Sequence, residues 1–312
     1  MGRDPHLSDT TAPQTPSLGA TAQWPVGAVS AGVVRRRPDD STTEVVEHAG
    51  DIDASFAWAS VTKLLVALAV LVATEEGILG LDDPAGPPGS TVRHLLAHAS
   101  GLGPDSTEPL TAPGRRRIYS NVGYELLADV LARASGMPFS DYVRTGVVLP
   151  LEMTGTELPP RSSPASGARG SLRDLLALAG ELLTPRLVAP STLADATSVA
   201  FPGLAGVLPG FGRFDPCDWG LGFEIRDGKA PHWTGARNAP ETFGHFGQSG
   251  CFVWVDPEAQ LACASLSDRD FGPWAVSAWP TLADDVLTVW SPPRATVETP
   301  GTLDPGAPAN LH

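Results

Sequence analysis

Apolar side chains recur at helical spacing through the middle of the chain. In the segment that ends at Gly136, the apolar positions are Val122, Leu126, Leu127, Val130 and Leu131, the period of an amphipathic helix. Residues 171–183 repeat this pattern, and a helix expected over about residues 60–78 contains ten consecutive apolar residues, 64–73, which predicts that it is buried. The pattern therefore predicts a mainly helical region over about residues 80–200.

Short apolar runs near both ends of the chain have the pattern of strands. They lie at residues 26–34, 42–50, 219–229, 250–260 and 261–268, with turn residues between them. A last helix is expected over residues 281–290. Because antiparallel strands from both ends most simply share one sheet, this order predicts an α+β fold. We expect an antiparallel sheet flanked by helices, with an inserted all-helical lobe.

The same pattern predicts one folded domain between two tails. The expected boundaries are 1–22 for the first tail, 23–290 for the domain and 291–312 for the second tail. Within the domain, the sheet lobe takes residues 23–79 and 215–290, and the helical lobe takes residues 80–214. Both tails are rich in proline and threonine, and we expect them to be disordered.

Composition and charge narrow the class of protein. The chain is 42% apolar and 18% charged, which is typical of a globular protein, and its net charge of -14 argues against nucleic acid or an anionic membrane as partner. Its three cysteines lack metal-ligand spacing, and we expect no metal or cofactor. No apolar run suits a membrane span or a signal peptide, so the cytoplasm is expected. Secretion stays open if the chain is truncated, and the oligomeric state is unknown.

Lysine is rare in this chain. Of 21 lysines and arginines, only Lys63 and Lys229 are lysines. Lys229 is expected on a hairpin turn, and the arginine triplets 35–37 and 115–117 are expected on solvated faces or turn edges. Lys63 follows Ser60 by three residues, so both side chains share a helix face. A desolvated lysine can accept the proton of a serine nucleophile. The alternatives are a helix cap for Ser60 and a snorkelling side chain for Lys63.

Two further segments carry candidate site residues. Tyr119 and Asn121 are two apart in an extended segment before a helix, so they point the same way. A core tyrosine and a helix cap are the alternatives. His245 and Gly247 lie in a glycine-rich strand, whose edge can bind a substrate. A backbone N–H beside Gly247 and that of Ser60 can form an oxyanion hole, although a lone histidine there is often structural.

These motifs resemble the serine β-lactamase and penicillin-binding-protein superfamily, in the branch of class C β-lactamases, D-Ala-D-Ala carboxypeptidases and β-lactamase-like esterases. The resemblance rests on Ser-x-x-Lys, Tyr-x-Asn and His-x-Gly in this order, and covers about residues 23–290. It implies a β-lactamase/transpeptidase-like fold. The implied roles are a nucleophile for Ser60, proton transfer for Lys63 and Tyr119, substrate contacts for Asn121 and His245, and an oxyanion hole for the N–H groups of Ser60 and Gln248.

The third motif departs from that family's pattern. Many members carry Lys-Thr-Gly, whereas this chain has His245 and Phe246 before Gly247, so a fixed cation and a hydroxyl are missing. This departure favours a small ester or amide over a carboxylate-bearing substrate. The expected function is therefore a serine hydrolase with a covalent acyl-enzyme. The alternatives are a β-lactamase or D,D-carboxypeptidase acting on a lactam or peptide, an acyltransferase, and an inactive ligand-binding relative.

Overall fold

A computed structural model describes residues 16–38 and 42–291 of the protein. Its strands are β1 (Val29–Arg36), β2 (Thr43–Ala49), β3 (Phe56–Ala57), β4 (Arg169–Gly170), β5 (Gly206–Leu208), β6 (Gly212–Phe214), β7 (Glu224–Ile225), β8 (Phe243–Gly247), β9 (Cys251–Asp256) and β10 (Leu261–Ser267). Six of them form one sheet in the order β2-β1-β10-β9-β8-β7, and every neighbouring pair is antiparallel. Strands from both ends of the chain share this sheet, which confirms the predicted α+β arrangement.

Seven α-helices accompany the strands in the described part of the chain. They are α1 (Thr62–Glu75), α2 (Val92–Leu96), α3 (Asn121–Ser135), α4 (Phe139–Val143), α5 (Leu172–Leu183), α6 (Pro190–Ala196) and α7 (Pro273–Trp290). Helix α7 begins earlier than the predicted residue 281, because Pro273 at its first turn is suited to start a helix. None of the helices in the described ranges has the length and hydropathy needed to cross a membrane.

Both faces of the sheet are buried. Along β9, Phe252 and Trp254 pack in one apolar cluster with α7, whereas Val253 and Val255 pack in another with α1 and α5. Successive residues of a strand point to opposite faces, so a sheet covered on both sides needs apolar residues at every position. This explains why residues 251–255 of β9 and residues 261–264 of β10 are apolar at every position.

The contacts of two helices differ from the lobes expected from their positions in the chain. Helix α5 packs against β1, β9 and β10, although it lies within the range 80–214 expected for the helical lobe. Helix α1 lies in the range expected for the sheet lobe, and it contacts α3 and α4 as well as β8. The range 80–214 also contains the β5–β6 hairpin. These contacts depend on which apolar faces of α1 and α5 pack together with the sheet and the other helices. They cannot be read from the order of elements along the chain.

The boundary expected for the first tail needs a correction. Residues 19–23 form a 3-10 helix, and Leu18 is buried in the cluster beside α7. The carboxylate of Glu47 accepts from the Ser17 hydroxyl at 2.6 Å and from the Leu18 N–H at 3.0 Å, which ties this segment to β2. Residues 16–22 are therefore part of the fold. The rest of the predicted tails, 1–15 and 292–312, lies outside the described residues.

Candidate active site

Ser60 lies in a single 3-10 turn, Ala59–Val61, directly before α1. The residue that caps α1 is Val61, and no side chain completes the cap, so Ser60 does not act as a helix cap. Ala59 has a φ of 42°, a left-handed conformation that costs a non-glycine residue roughly 1 kcal/mol or more. Such strained residues cluster at functional sites, and this one holds Ser60 at the end of the helix.

Gly247 permits β8 to approach this turn closely. A Cβ atom at Gly247 would lie 2.5 Å from the carbonyl oxygen of Trp58 and 3.2 Å from the Cβ atom of Ala59. Only glycine fits without displacing the backbone on one side. The end of β8 therefore lies against the segment that carries Ser60.

Lys63 is fully buried in the first turn of α1. Its Nζ donates to Asn121 Oδ1 at 2.8 Å and to the carbonyl oxygen of Ala165 at 2.9 Å, and it lies 3.4 Å from Ser60 Oγ. Burial lowers the pKa of Lys63 to about 7, although the negative charges of two neighbouring carboxylates oppose the shift. The snorkelling alternative is wrong, because the ammonium does not reach water.

Tyr119 lies beside this pair. Lys63 Nζ is 4.8 Å from the centroid of the Tyr119 ring. Burial raises the pKa of Tyr119, and a nearby Ser60 hydroxyl offsets only part of that effect, so the phenol is neutral. Among the residues that the structure describes, Tyr119 Oη has no hydrogen-bond partner with suitable distance and angle. An unpartnered buried hydroxyl can bond to a ligand that enters the site.

Asn121 is the first residue of α3, but it does not cap the helix. Ser120 does so, because its Oγ accepts from the N–H of Gly123 at 3.1 Å. The Asn121 side chain instead connects two charged groups: Oδ1 accepts from Lys63, and Nδ2 donates to Asp105 Oδ1 at 2.9 Å. Asn121 therefore holds the amine that lies next to Ser60.

His245 is buried on β8 and uncharged. Its Nδ1 lies 2.7 Å from the carbonyl oxygen of Phe246 and donates to it, which leaves Nε2 unprotonated; no group within residues 16–38 or 42–291 hydrogen-bonds to Nε2. Burial, aided by the charge of Lys63, lowers the pKa of His245 to about 3. The position where the resembling family often carries a lysine is therefore neutral at physiological pH.

These residues surround a cavity of about 240 Å³. Its lining consists of Ser60, Tyr119, Asn121, Leu208, Pro209, Trp219, Glu224, His245, Phe246 and Gln248. Five of the seven predicted site residues are in this lining. The other two are Lys63, which lies behind Ser60 and Asn121, and Gly247, which brings β8 against the serine turn. All seven are brought together.

A buried charge cluster behind the cavity was missed by the sequence reasoning. Glu224 Oε2 accepts from His232 Nε2 at 2.8 Å and from Trp233 Nε1 at 2.9 Å. Its Oε1 forms an ion pair with Lys229 Nζ at 2.8 Å, although the two atoms are not aligned as a hydrogen bond. Burial alone would raise the pKa of Glu224, but His232 and Lys229 outweigh it and lower the pKa to about 2. An ionised carboxylate therefore lines the cavity.

The structure places two of the cations in buried surroundings. Lys229 lies on a turn as predicted, and the residue is only 3% exposed. Arg117 was expected on a solvated face, yet it is 2% exposed and donates to the carbonyl oxygen of Ala97 at 2.6 Å. The signal for Lys229 was present in the sequence, because the scarcity of lysine that singled out Lys63 applies equally to it.

Comparisons with known proteins bear on the family and the fold. A family model described as Beta-lactamase matches residues 41–288. A crystal structure of a beta-lactamase from Mycobacterium bovis is 51% identical with a TM-score of 0.85, covering 88% of this chain and 99% of that one. The structure of EstCE1, a hydrolase with promiscuous acyltransferase activity, is 19% identical with a TM-score of 0.68, covering 87% and 96%, and shows the same fold.

Similarity to curated proteins covers shorter segments. Penicillin-binding protein 4* of Bacillus subtilis strain 168 is 34% identical over 137 residues, which are 33% of this chain and 30% of that protein. The chain thus spans about a third of the length of that relative.

Proposed function

Because the chain belongs to the beta-lactamase family, we propose that it is a serine hydrolase that cleaves small esters or amides through a covalent acyl-enzyme. The observation that carries the proposal is the contact of Lys63 with Ser60. Nζ lies 3.4 Å from Oγ, and the pKa of the amine is about 7. A neutral amine at this position can accept the hydroxyl proton, which makes the serine nucleophilic.

The proposed acylation begins with that proton transfer. As the proton moves from Ser60 Oγ to Lys63 Nζ, Oγ bonds to the substrate carbonyl carbon, and the carbonyl electrons move onto its oxygen. The N–H groups of Ser60 and Gln248 are the proposed donors to this oxyanion. When the intermediate collapses, the bond to the leaving group breaks, and the neutral phenol of Tyr119 gives its proton to the departing oxygen or nitrogen. Tyr119 then regains a proton from Lys63.

The proposed deacylation reverses these roles with water as nucleophile. Water bonds to the acyl carbon as its proton passes to Lys63 Nζ, either directly or through the Tyr119 hydroxyl. The bond from that carbon to Ser60 Oγ then breaks, Oγ takes back a proton, and the acid is released. Asn121 supports both halves, since its Oδ1 accepts from Lys63 and keeps the amine next to Oγ.

Charge at the cavity favours an uncharged substrate. His245 is neutral, and the charge of Glu224 is balanced by Lys229, so the described lining of this cavity offers a substrate carboxylate no free cation. This supports an ester or neutral amide. A β-lactam or D,D-peptide substrate is the second candidate, which the named activities of the M. bovis and B. subtilis relatives support. Acyl transfer, the promiscuous activity of EstCE1, differs only in the nucleophile that resolves the acyl-enzyme.

Parallel kinetics with two substrates test the proposal. We expect a higher kcat/KM for p-nitrophenyl acetate than for a chromogenic cephalosporin. Ser60→Ala should lower ester turnover by at least about a thousandfold, whereas the exposed Ser198→Ala should leave it unchanged. Efficient cephalosporin hydrolysis without ester turnover would instead establish the second candidate.

A fluorophosphonate probe separates these enzymes from an inactive, ligand-binding relative. An active serine hydrolase should be labelled at Ser60 under native conditions, and intact-mass analysis of the parent and of Ser60→Ala reads this directly. If the parent protein stays unlabelled and hydrolyses neither substrate, it is not a serine hydrolase, and a binding function takes the place of this proposal.

A further inference from the structure

A second cavity, of about 440 Å³, adjoins the one at Ser60. Its walls come from the segment 104–118 and from the β5–β6 hairpin. The apolar and aromatic residues in its lining are Pro104, Leu110, Ile118, Tyr119, Val207 and Pro209. Tyr119 and Pro209 also line the first cavity, so the two spaces meet at these side chains.

The lining of the second cavity is unusually apolar for an accessible surface. Leu110 is 67% exposed and Val207 is 53% exposed. They are the two most exposed of the five large apolar residues in the described ranges that are at least 40% exposed. Exposed apolar side chains in a concave surface mark a binding site. Three residues with polar side chains also line the cavity: Thr111, Arg116 and Arg117. The guanidinium of Arg117 donates to backbone carbonyl groups and is not available to a ligand, whereas Arg116 is exposed to solvent.

Backbone contacts hold the floor of this cavity in place. The N–H of Arg117 donates to the carbonyl oxygen of Ala205 at 2.9 Å, and the N–H of Leu110 donates to that of Gly101 at 2.8 Å. Gly206 approaches Arg117 so closely that a Cβ atom there would lie 2.6 Å from the Arg117 Cβ. The cavity is therefore preformed, which reduces the entropy that binding must overcome.

We infer that the second cavity is a subsite for an apolar substituent of the substrate's leaving group. This inference rests on the proposed function, in which Tyr119 gives its proton to the departing oxygen. The group attached to that oxygen then lies on the Tyr119 side, where the two cavities meet, while the carbonyl oxygen points toward Gln248. The preferred substrates are esters of medium-length alkyl or aryl alcohols with a small acyl group.

Two ester series test this assignment. The first varies the alcohol (ethyl, butyl and hexyl acetate), the second varies the acid (ethyl acetate, butanoate and hexanoate), and acid release at constant pH gives kcat/KM. We expect hexyl acetate to exceed ethyl acetate by at least about tenfold. Val207→Asp should remove most of that ratio, whereas Val45→Asp, a matched change of a 50% exposed valine on β2, should leave it unchanged.

The possible results separate this inference from the proposed function. Ester hydrolysis that depends on Ser60 but shows no preference for longer alcohols would overturn the subsite and leave the function intact. A preference for longer acids that Val207→Asp removes would overturn the assignment to the leaving group. Binding of 1-hexanol to Ser60→Ala, measured by calorimetry, reads the subsite without catalysis. The subsite is supported if 1-hexanol binds and Val207→Asp weakens that binding. It is overturned if 1-hexanol does not bind.

Discussion

Lys63 is expected to determine how ester hydrolysis depends on pH. Its pKa is lowered to about 7, and the proposed mechanism needs the neutral amine, so activity is present above that pH and is lost below it. For a group that titrates near 7, the neutral fraction is about 0.9 at pH 8 and about 0.1 at pH 6, so kcat/KM should fall roughly tenfold between them. His245 has a pKa of about 3 and does not titrate in this interval.

Glu125→Gln tests whether Lys63 is the origin of this pH dependence. The charge of Glu125 raises the pKa of Lys63, so its removal should move the acid limb of the profile to lower pH. The variant should therefore retain more of its pH 8 activity at pH 6 than the parent does. Glutamine keeps an acceptor for the Ser163 hydroxyl, which lies 2.5 Å from Glu125 Oε1. Glu258→Gln, a change at an exposed turn, serves as the control.

The assay is kcat/KM for ethyl acetate between pH 5.5 and 9 at constant ionic strength, since neither the ester nor ethanol titrates there. The reasoning is refuted if the parent profile is flat, or if its limb lies near the ordinary lysine pKa of about 10.4. It is also refuted if Glu125→Gln moves the limb to higher pH. An unchanged limb in Glu258→Gln is needed to attribute the shift to the charge near Lys63.

Two further predictions concern close packing and buried charge. Gly247→Ala puts a Cβ atom 2.5 Å from the Trp58 carbonyl oxygen, so ester turnover should fall at least tenfold and the melting temperature should drop, whereas Gly228→Ala, with open space at its Cβ, should change neither. Glu224→Ala removes the carboxylate partner of the buried Lys229 ammonium, which keeps its hydrogen bonds to the carbonyl oxygens of Asp218 and Ile225, so urea denaturation should show a free energy of unfolding lower by about 3–5 kcal/mol. An unchanged unfolding midpoint would contradict that expectation.

The parts of the site that could be predicted depend on short-range geometry. Ser60 and Lys63 are three residues apart at the start of one helix, and Tyr119 and Asn121 flank the start of another, so their proximity follows from secondary structure. The continuous apolar run after Lys63 predicted that its amine would be desolvated. Spacing of this kind is visible in the chain before any tertiary contact is known.

Other features depend on contacts between distant segments. Arg117 is buried because its guanidinium donates to carbonyl oxygens of Ala97, Cys217 and Ala200, which lie 20, 100 and 83 residues away in the chain. Nothing in the local sequence distinguishes it from its exposed neighbours in the arginine triplet. Helix α5 likewise packs on the sheet because its apolar face meets β1 and β10, an arrangement that its periodicity allows but does not specify.

The residues proposed for the chemistry and the residues proposed for substrate specificity differ in how far apart in the chain their contacts lie. The proposed proton transfers need atoms that residues at and just before the starts of α1 and α3 supply. The walls that select a substrate come instead from the segment 104–118, the β5–β6 hairpin and the end of β8. Long-range contacts such as those of Arg117 decide how these walls meet. The motifs could therefore predict an acyl-enzyme mechanism, whereas the apolar subsite beside Tyr119 could be found only once the walls were placed together.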